Sequence, residues 1–152
     1  MSTHTATIEW SRGSQPFLDN KYSRAHAWRF DGGAQIEASS SPEVVPPPFS
    51  NPAGVDPEEA YVAALSSCHM LWFLGLAAAE GYCVDSYRDD AVGHMERNAA
   101  GQQWISRIDL HPRVLFSGSR CPDAKALAHL HHEAHARCFI ANSVRTEVTV
   151  AG

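Results

Sequence analysis

The sequence predicts an α+β fold, in which antiparallel strands and two helices follow one another in the order βββ-α-ββ-α-β. Segments in which polar and apolar residues alternate are typical of half-buried strands, and they flank two stretches of helical character. The tripeptide Asp31-Gly32-Gly33 between two of these segments is typical of a β-hairpin turn. The 152 residues suffice for one domain with its own core, which we predict over residues 1–152.

Three strands are predicted before the first helix. Thr3–Trp10 and Tyr22–Phe30 alternate, and Ala34–Ser39 returns after the hairpin turn. Arg24 lies within the second strand on the same face as aromatic side chains, and an inward-facing arginine needs a partner. The alternative is an arginine at a strand edge or on the surface. A proline-rich loop over residues 40–55 follows, and its length is typical of a functional lid or a crossover.

The longest predicted element is a helix from Asp56 to Gly81. Asp56 is a favourable N-cap, Pro57 is tolerated in the first turn, and Gly81 is a favourable end. Apolar residues cover most of the helix circumference, which predicts a buried helix. Its continuous apolar run, Met70–Ala79, is too short to span a bilayer, so we expect no membrane association.

Two long strands, a second helix and a final strand are predicted after the central helix. Their ranges are Tyr82–Arg97, Trp104–Phe116, Asp123–Cys138 and Ser143–Val150. Pro112 places a bulge or a sheet edge within the second of these strands, because proline cannot donate a ladder hydrogen bond.

Composition and charge exclude several classes of function. The formal net charge is −5 and the 12 basic residues are scattered, which disfavours nucleic-acid binding. The first ten residues lack the basic start and apolar stretch of a signal peptide, so we expect a cytoplasmic location. In that compartment cysteines are more often catalytic, metal-binding or inert than joined in structural disulfides.

Two of the four cysteines are candidates for chemistry. Cys68 lies in a polar interruption of the apolar helix, formed by residues 66–69, which a merely packed cysteine would not need. The alternative is an inert thiol, since burial in apolar surroundings raises a thiol pKa. Cys138 ends the second helix, where we expect a thiol to be more accessible than in mid-helix. Cys83 and Cys121 are interpreted as structural.

The histidine-rich segment His129–His135 offers an alternative function. His131 and His135 are four residues apart on a predicted helix, and with Cys138 they could form a site of the zinc type. The order of residues departs from the His-Glu-x-x-His pattern of zinc proteases, so a solvated helix face is the favoured interpretation. The alternative is a metal-binding or redox-sensing protein.

Several residues together resemble the OsmC/Ohr family, the osmotically inducible protein C-like and organic hydroperoxide resistance proteins. They are Pro57-Glu58, the run Ala63–Cys68 that ends ten positions after Glu58, and Cys138 followed by Asn142-Ser143. The order of helices and strands also fits over nearly the whole chain. One departure is Cys138-Phe139, where the family often has Cys-Pro.

This resemblance implies an OsmC-like fold, an intertwined homodimer and a thiol-dependent peroxidase that reduces organic hydroperoxides without a cofactor. It implies that Cys68 is the peroxidatic cysteine and that Cys138 resolves it as a disulfide. It also implies that Glu58 pairs with an arginine, for which Arg24 is a better match than Arg12 or Arg29. An external thiol or dithiol would reset the enzyme. A catalytically idle binding protein on the same scaffold is a further alternative.

The spacing between Glu58 and Cys68 bears on the oligomeric state. Ten helical residues rise by about 15 Å, which is too far for direct contact along one helix. An arginine that serves both groups would therefore bridge two chains. We expect a homodimer whose active sites combine residues of both subunits.

Overall fold

A computed structural model, which describes residues 1–151, confirms the α+β fold with its two helices in the predicted positions. The chain forms the strands β1 (Thr7–Glu9), β2 (His26–Arg29) and β3 (Gln35–Ala38), the helix α1 (Pro57–Ala79), the strands β4 (Cys83–Asp89), β5 (Val92–Arg97), β6 (Gln103–Leu110) and β7 (Pro112–Ser117), the helix α2 (Ala124–Arg137), a short 3-10 turn (Ala141–Ser143) and the strand β8 (Glu147–Val150).

Each of the two long strands predicted after α1 is in fact two strands. Strand β4 pairs with β7, whereas β5 pairs with β6, so the chain changes sheets at residues 90–91 and again at His111. The backbone N–H of His111 donates to a carboxylate oxygen of Asp89 at 2.6 Å, which links the two crossing points. Three consecutive polar residues, Arg88, Asp89 and Asp90, interrupt the alternation at the first point, and Pro112 marks the second. Neither signal shows which sheet the following residues join.

The chain forms two compact units, of which the first is Met1–Ala60 and the second begins at Tyr61. In the first unit β1, β2 and β3 form one antiparallel sheet. The proline-rich loop is attached to the strands of this unit at its end and also within the loop, at Phe49. Val55 donates to Glu37 at 2.9 Å, and Arg24 donates through its backbone N–H to Phe49 at 2.9 Å. A single domain over residues 1–152 stays a prediction.

In the second unit the two helices and five strands enclose two apolar clusters. One cluster joins the helices and consists of Phe73, Ala77, Leu130 and Ala134, all at most 4% exposed. The other joins α1 to β6 and contains Leu65, Ile108 and Leu110. Strand β8 runs parallel to β6, so the sheet β5-β6-β8 is mixed.

Helix α1 begins with a reciprocal capping box. Asp56 accepts from the backbone N–H of Glu59, and the Glu59 side chain accepts from the backbone N–H of Asp56, both at 2.8 Å. Four residues spaced four apart are buried in α1: Leu65, His69, Phe73 and Ala77. The expectation of burial nearly all round is therefore wrong for the single chain. Leu71, on another face, is 63% exposed.

Helix α2 has the bounds and the N-cap residue that the sequence predicts. The side chain of its N-cap, Asp123, accepts from the backbone N–H of Ala126 at 2.8 Å, and its C-cap is Cys138. Leu130, Ala134 and Cys138 lie on the predicted apolar stripe and are buried.

Candidate active site

The second unit brings two of the four cysteines together. The side chain of Cys68, on α1, lies next to the Cys138 thiol at the end of α2. Cys68 is half-buried, whereas Cys83 and Cys121 are exposed, and all four thiols are free. Neighbouring free thiols are the arrangement from which a disulfide can form on oxidation.

Cys138 is more buried than its position at a helix end suggests. Its side chain is 1% exposed, so the expectation of an accessible thiol is wrong. The chain folds back immediately after α2, because the backbone N–H of Asn142 donates to the Cys138 carbonyl at 3.0 Å. In the same turn the N–H of Ala141 donates to the Cys138 sulfur at 3.4 Å.

The surroundings keep Cys138 protonated near neutral pH. Burial, and then the neighbouring Cys68 thiol, raise the pKa of Cys138 to about 11, and the Ala141 N–H opposes this effect only in part. A protonated thiol is a poor nucleophile toward peroxide, since the thiolate is the reactive form. These surroundings therefore do not favour Cys138 as a thiol that reacts directly with an oxidant.

Two aromatic rings lie beside this thiol pair. Trp72 follows Cys68 by one helical turn, and its ring meets that of Phe139 edge-on, with centroids 5.4 Å apart. Phe139 is 67% exposed although its neighbour Cys138 is buried. Sequence reasoning noted Phe139 only as a departure from a family pattern and did not place it against Trp72.

The other two predicted site residues, Arg24 and Glu58, line one cavity of about 510 Å³ in the first unit. We call this cavity the aromatic pocket, because the rings of Trp10, Phe17 and Tyr22 lie on its wall. Arg12 and Arg29, the alternative arginines, do not line it. Arg29 instead pairs with Glu9 at 2.7 Å.

The guanidinium of Arg24 is held by neutral acceptors. It donates to the Asn20 carbonyl at 3.0 Å, to the Asn20 side-chain oxygen at 2.8 Å and to the Tyr22 carbonyl at 2.5 Å. It also lies 3.8 Å above the centre of the Tyr22 ring. Within residues 1–151 no carboxylate lies within 4.0 Å of this group. Its positive charge is therefore not neutralised by the part of the chain described.

Glu58 is a carboxylate that forms no salt bridge with residues 1–151. Burial raises its pKa, and the nearby carboxylates of Asp56 and Glu59 add to the effect. A guanidinium beside Glu58 would reverse this shift. The four predicted site residues thus form two pairs, Cys68 with Cys138 in the second unit and Arg24 with Glu58 in the first.

The histidine segment is not the solvated face that the sequence predicted. His129 and His132 are exposed, but His131 is only 5% exposed and stacks on Phe73 with ring centroids 4.4 Å apart. His131 Nδ1 also lies 3.0 Å from Nε2 of His69, which is 1% exposed. In residues 1–151 no three His, Cys, Asp or Glu side chains are arranged to hold a metal ion, so nothing there supports the metal-binding alternative.

The buried His69 should make the protein less stable in acid. Burial, and then the charges of His131 and His135, lower the pKa of His69 to about 4, against about 6.5 in an unfolded chain. The unfolded chain then binds the extra proton first, so stability is lost as the pH falls from 6.5 toward 4. The loss is up to about 3 kcal/mol in the free energy of unfolding for a shift of this size.

Urea unfolding at several pH values measures this loss. The variant His69→Phe should lose part of the pH dependence and keep the part that comes from His131, whose pKa burial also lowers. His132→Gln, which removes an exposed histidine, should keep the full dependence. Wild-type and His69→Phe curves that fall in parallel would contradict the assignment to His69.

The fold and the thiol pair together define an α+β protein with two adjacent free thiols at its helices. The chain belongs to the OsmC-like protein family, whose sequence pattern matches residues 50–151. The resemblance stated above is thereby confirmed. The matched region contains Glu58, Cys68 and Cys138, whereas Arg24 precedes it.

Solved structures give the same fold. An OsmC-like protein of unknown function from Vibrio cholerae is 55% identical over 99% of each chain, with a TM-score of 0.97. An organic hydroperoxide resistance protein from Elizabethkingia anophelis is 16% identical, covers 99% of this chain and 93% of its own, and has a TM-score of 0.71. At that identity the likeness shows the fold alone. A comparison with curated proteins gives no match.

Proposed function

We propose that the protein is a thiol-dependent peroxidase that reduces organic hydroperoxides to alcohols. The observation that carries this proposal is the contact between Cys68 and Cys138, of which Cys138 is held as a protonated thiol. Two solved relatives of the same fold are named as organic hydroperoxide resistance proteins, one from Legionella pneumophila and one from Elizabethkingia anophelis. Their names support the class of reaction by analogy.

The reaction would proceed in three steps. The Cys68 thiolate attacks the terminal oxygen of the hydroperoxide. The S–O bond forms, the O–O bond breaks, and the alkoxide takes a proton and leaves as the alcohol. The Cys138 sulfur then attacks the Cys68 sulfenic acid, so that an S–S bond forms and water leaves. An external dithiol returns two electrons and releases both thiols by exchange.

Arg24 and Glu58 would supply the charge that this reaction needs. A cation near a thiol lowers its pKa, and a cation near a peroxide oxygen stabilises the departing negative charge. The guanidinium of Arg24 carries a charge that no carboxylate neutralises within the described chain, and Glu58 lines the same pocket without a cation. We assign to Arg24 the role of lowering the pKa of the Cys68 thiol. We assign to Glu58 the role of orienting the Arg24 guanidinium.

In a homodimer, Arg24 and Glu58 in the first unit of one chain would lie beside Cys68 and Cys138 in the second unit of the other chain. Large apolar side chains remain exposed in both units of the single chain, including Ile8 at 59%, Leu18 at 98%, Leu71 at 63% and Phe139 at 67%. Exposed apolar side chains of this size are candidates for burial against a second chain. The uncovered side of α1 adds small residues, such as Ala64 and Ala78, that permit close packing.

Mixing two inactive chains tests the shared site. Cys68→Ser chains lack the nucleophile, and Arg24→Ala chains should be slow near neutral pH because their thiol is less ionised. After subunit exchange, mixed dimers contain one complete site, so peroxide consumption should reach up to about one quarter of the wild-type rate in an equal mixture with random exchange. Mixed dimers that are verified by mass and still inactive would place Arg24 and Cys68 in the same chain.

Turnover tests the proposed function itself. The purified protein with a dithiol should consume cumene hydroperoxide catalytically and faster than hydrogen peroxide, with no metal or organic cofactor added. A protein whose thiols survive excess organic hydroperoxide unchanged would instead be an idle binding protein on this scaffold. We propose that the peroxidase acts in the cytoplasm.

A further inference from the structure

Two pairs of side chains in the second unit join helix α1 to helix α2. Cys68 lies next to Cys138, and the following residue, His69, contacts His131. His131 and Cys138 are seven residues apart, so they lie on the same face of α2, about 10 Å apart along its axis. The reaction proposed above uses the thiol pair and does not use the histidine pair.

The histidine pair is a close and enclosed contact between the helices. Nε2 of His69 lies 3.0 Å from Nδ1 of His131, and the two ring planes are inclined by 8°. The His131 ring also stacks on Phe73, one helical turn beyond His69, with centroids 4.4 Å apart. Both histidines are at most 5% exposed. The ring of His131 is therefore held against two neighbouring side chains of α1.

A proton added to this pair would be poorly accommodated. With both rings neutral, one of the facing nitrogens donates and the other accepts. Within residues 1–151 His69 Nδ1 has no hydrogen-bond partner, so a proton taken up there is buried without an acceptor. Burial, and then the charges of His131 and His135 on α2, lower the pKa of His69, and burial also lowers the pKa of His131.

The strands that pack against the helices provide one opposing charge. Asp89 on β4 favours the protonated histidines, but its carboxylate already accepts from Ser66 and from the backbone N–H of His111. Tyr87, also on β4, is neutral because burial raises its pKa. Strand β7 contributes the apolar side chains of Val114 and Phe116. The net effect is that the closed contact favours neutral histidines.

We propose that the His69–His131 contact is a proton-operated latch between the two helices that carry the thiols. The latch holds α2 and its terminal thiol against α1 while both rings are neutral. When a ring takes up a proton, the helices part locally and Cys138 becomes accessible. In acid the resolving thiol is then withdrawn from Cys68, a consequence for catalysis that rests on the proposed peroxidase function.

The direction and size of the effect follow from proton linkage. The pKa of a histidine open to water is about 6.5 and that of His69 in the closed contact is about 4. Proton uptake therefore favours the open form as the pH falls from 6.5 toward 4. For His69 alone, the open population should rise about 20-fold between about pH 7 and pH 5, and His131 adds to this effect.

Thiol labelling of the buried Cys138 measures this opening without peroxide. Full-length Cys68→Ser protein is treated with 4,4′-dithiodipyridine at about pH 7 and pH 5, and peptide mapping without reduction gives the labelling rates of Cys138 and Cys121. Each thiol sulfur attacks the S–S bond of the reagent, so that a mixed disulfide forms and one thiopyridone leaves. Because Cys121 is exposed, the ratio of the Cys138 rate to the Cys121 rate cancels the pH dependence of thiol ionisation.

This rate ratio should rise by about 20-fold or more from pH 7 to pH 5. With His69→Phe and His131→Phe added, the rings carry no titratable nitrogen, and the ratio should change by less than about twofold. The matched control His132→Gln removes an exposed histidine of α2 and should behave like the parent protein. If the double replacement does not fold, His69→Phe alone should show a smaller rise than the parent.

A rate ratio that is independent of pH, or that rises equally with and without the histidine pair, would overturn the latch and leave the proposed function standing. Labelling at pH 5 in low concentrations of urea separates local opening, which should respond weakly, from global unfolding, which responds with the full unfolding slope. A full slope would also overturn the latch. A histidine-dependent rise in a protein that consumes no peroxide would support the latch and refute the proposed function alone.

Discussion

Replacement of Cys68 by serine should abolish peroxide consumption while the fold survives. We expect a fall of about 1,000-fold or more in kcat/KM, because a serine hydroxyl is not ionised at neutral pH and is a weak nucleophile. Cys68 is half-buried beside Cys138, and loss of its sulfur removes the only atom that the proposed first step oxidises. The rate of cumene hydroperoxide loss with a dithiol present measures the effect.

The matched control is Cys83→Ser, which changes an exposed thiol in the same unit and should keep full activity. Circular dichroism and urea unfolding should show that both variants are folded. Substantial activity in Cys68→Ser, or its loss in Cys83→Ser alone, would contradict the assignment of the nucleophile.

Replacement of Cys138 by serine should stop catalysis after one reaction. Cys68 would still attack the hydroperoxide, but no neighbouring thiol would remain to condense with its sulfenic acid. One equivalent of alcohol per chain should therefore appear rapidly, followed by little or no dithiol-driven turnover. Intact mass spectrometry should find one added oxygen atom per chain, and excess peroxide should add more.

Removal of Cys121 provides the comparison for this variant. Cys121→Ser changes another exposed thiol and should turn over normally. Sustained turnover by Cys138→Ser at the wild-type rate would mean that the external thiol reduces the sulfenic acid directly and that Cys138 has no resolving role.

The helices were predictable from the sequence because their signals are local. Asp56 and Asp123 cap α1 and α2 as their side chains suggest, and an apolar stripe on α2 leads to Cys138. The division of the long strands at residues 90–91 and at His111 was not predictable in this way. It depends on which sheet each half joins, and the local pattern of polar and apolar residues does not determine that partner.

The sequence was sufficient to predict which residues form the candidate site. It was not sufficient to predict the surroundings of each side chain. The polar interruption of α1 and the position of Cys138 identify the two thiols, yet the 3-10 turn that buries Cys138 follows from backbone hydrogen bonds of Ala141 and Asn142. Phe17 carries a weak signal, as the aromatic residue of the loop over residues 12–20. Only the fold places it against Trp10 and Tyr22.

The contact between Cys68 and Cys138 is the centre of this account, and peptide mapping after oxidation tests it most directly. The reduced protein is treated with one equivalent of cumene hydroperoxide per chain, its remaining thiols are blocked, and the digest is analysed by mass spectrometry without reduction. We expect the loss of two thiols per chain and a peptide pair linked through Cys68 and Cys138, with Cys83 and Cys121 blocked as free thiols. A disulfide from Cys68 to Cys83 or Cys121, or four unchanged thiols, would contradict it.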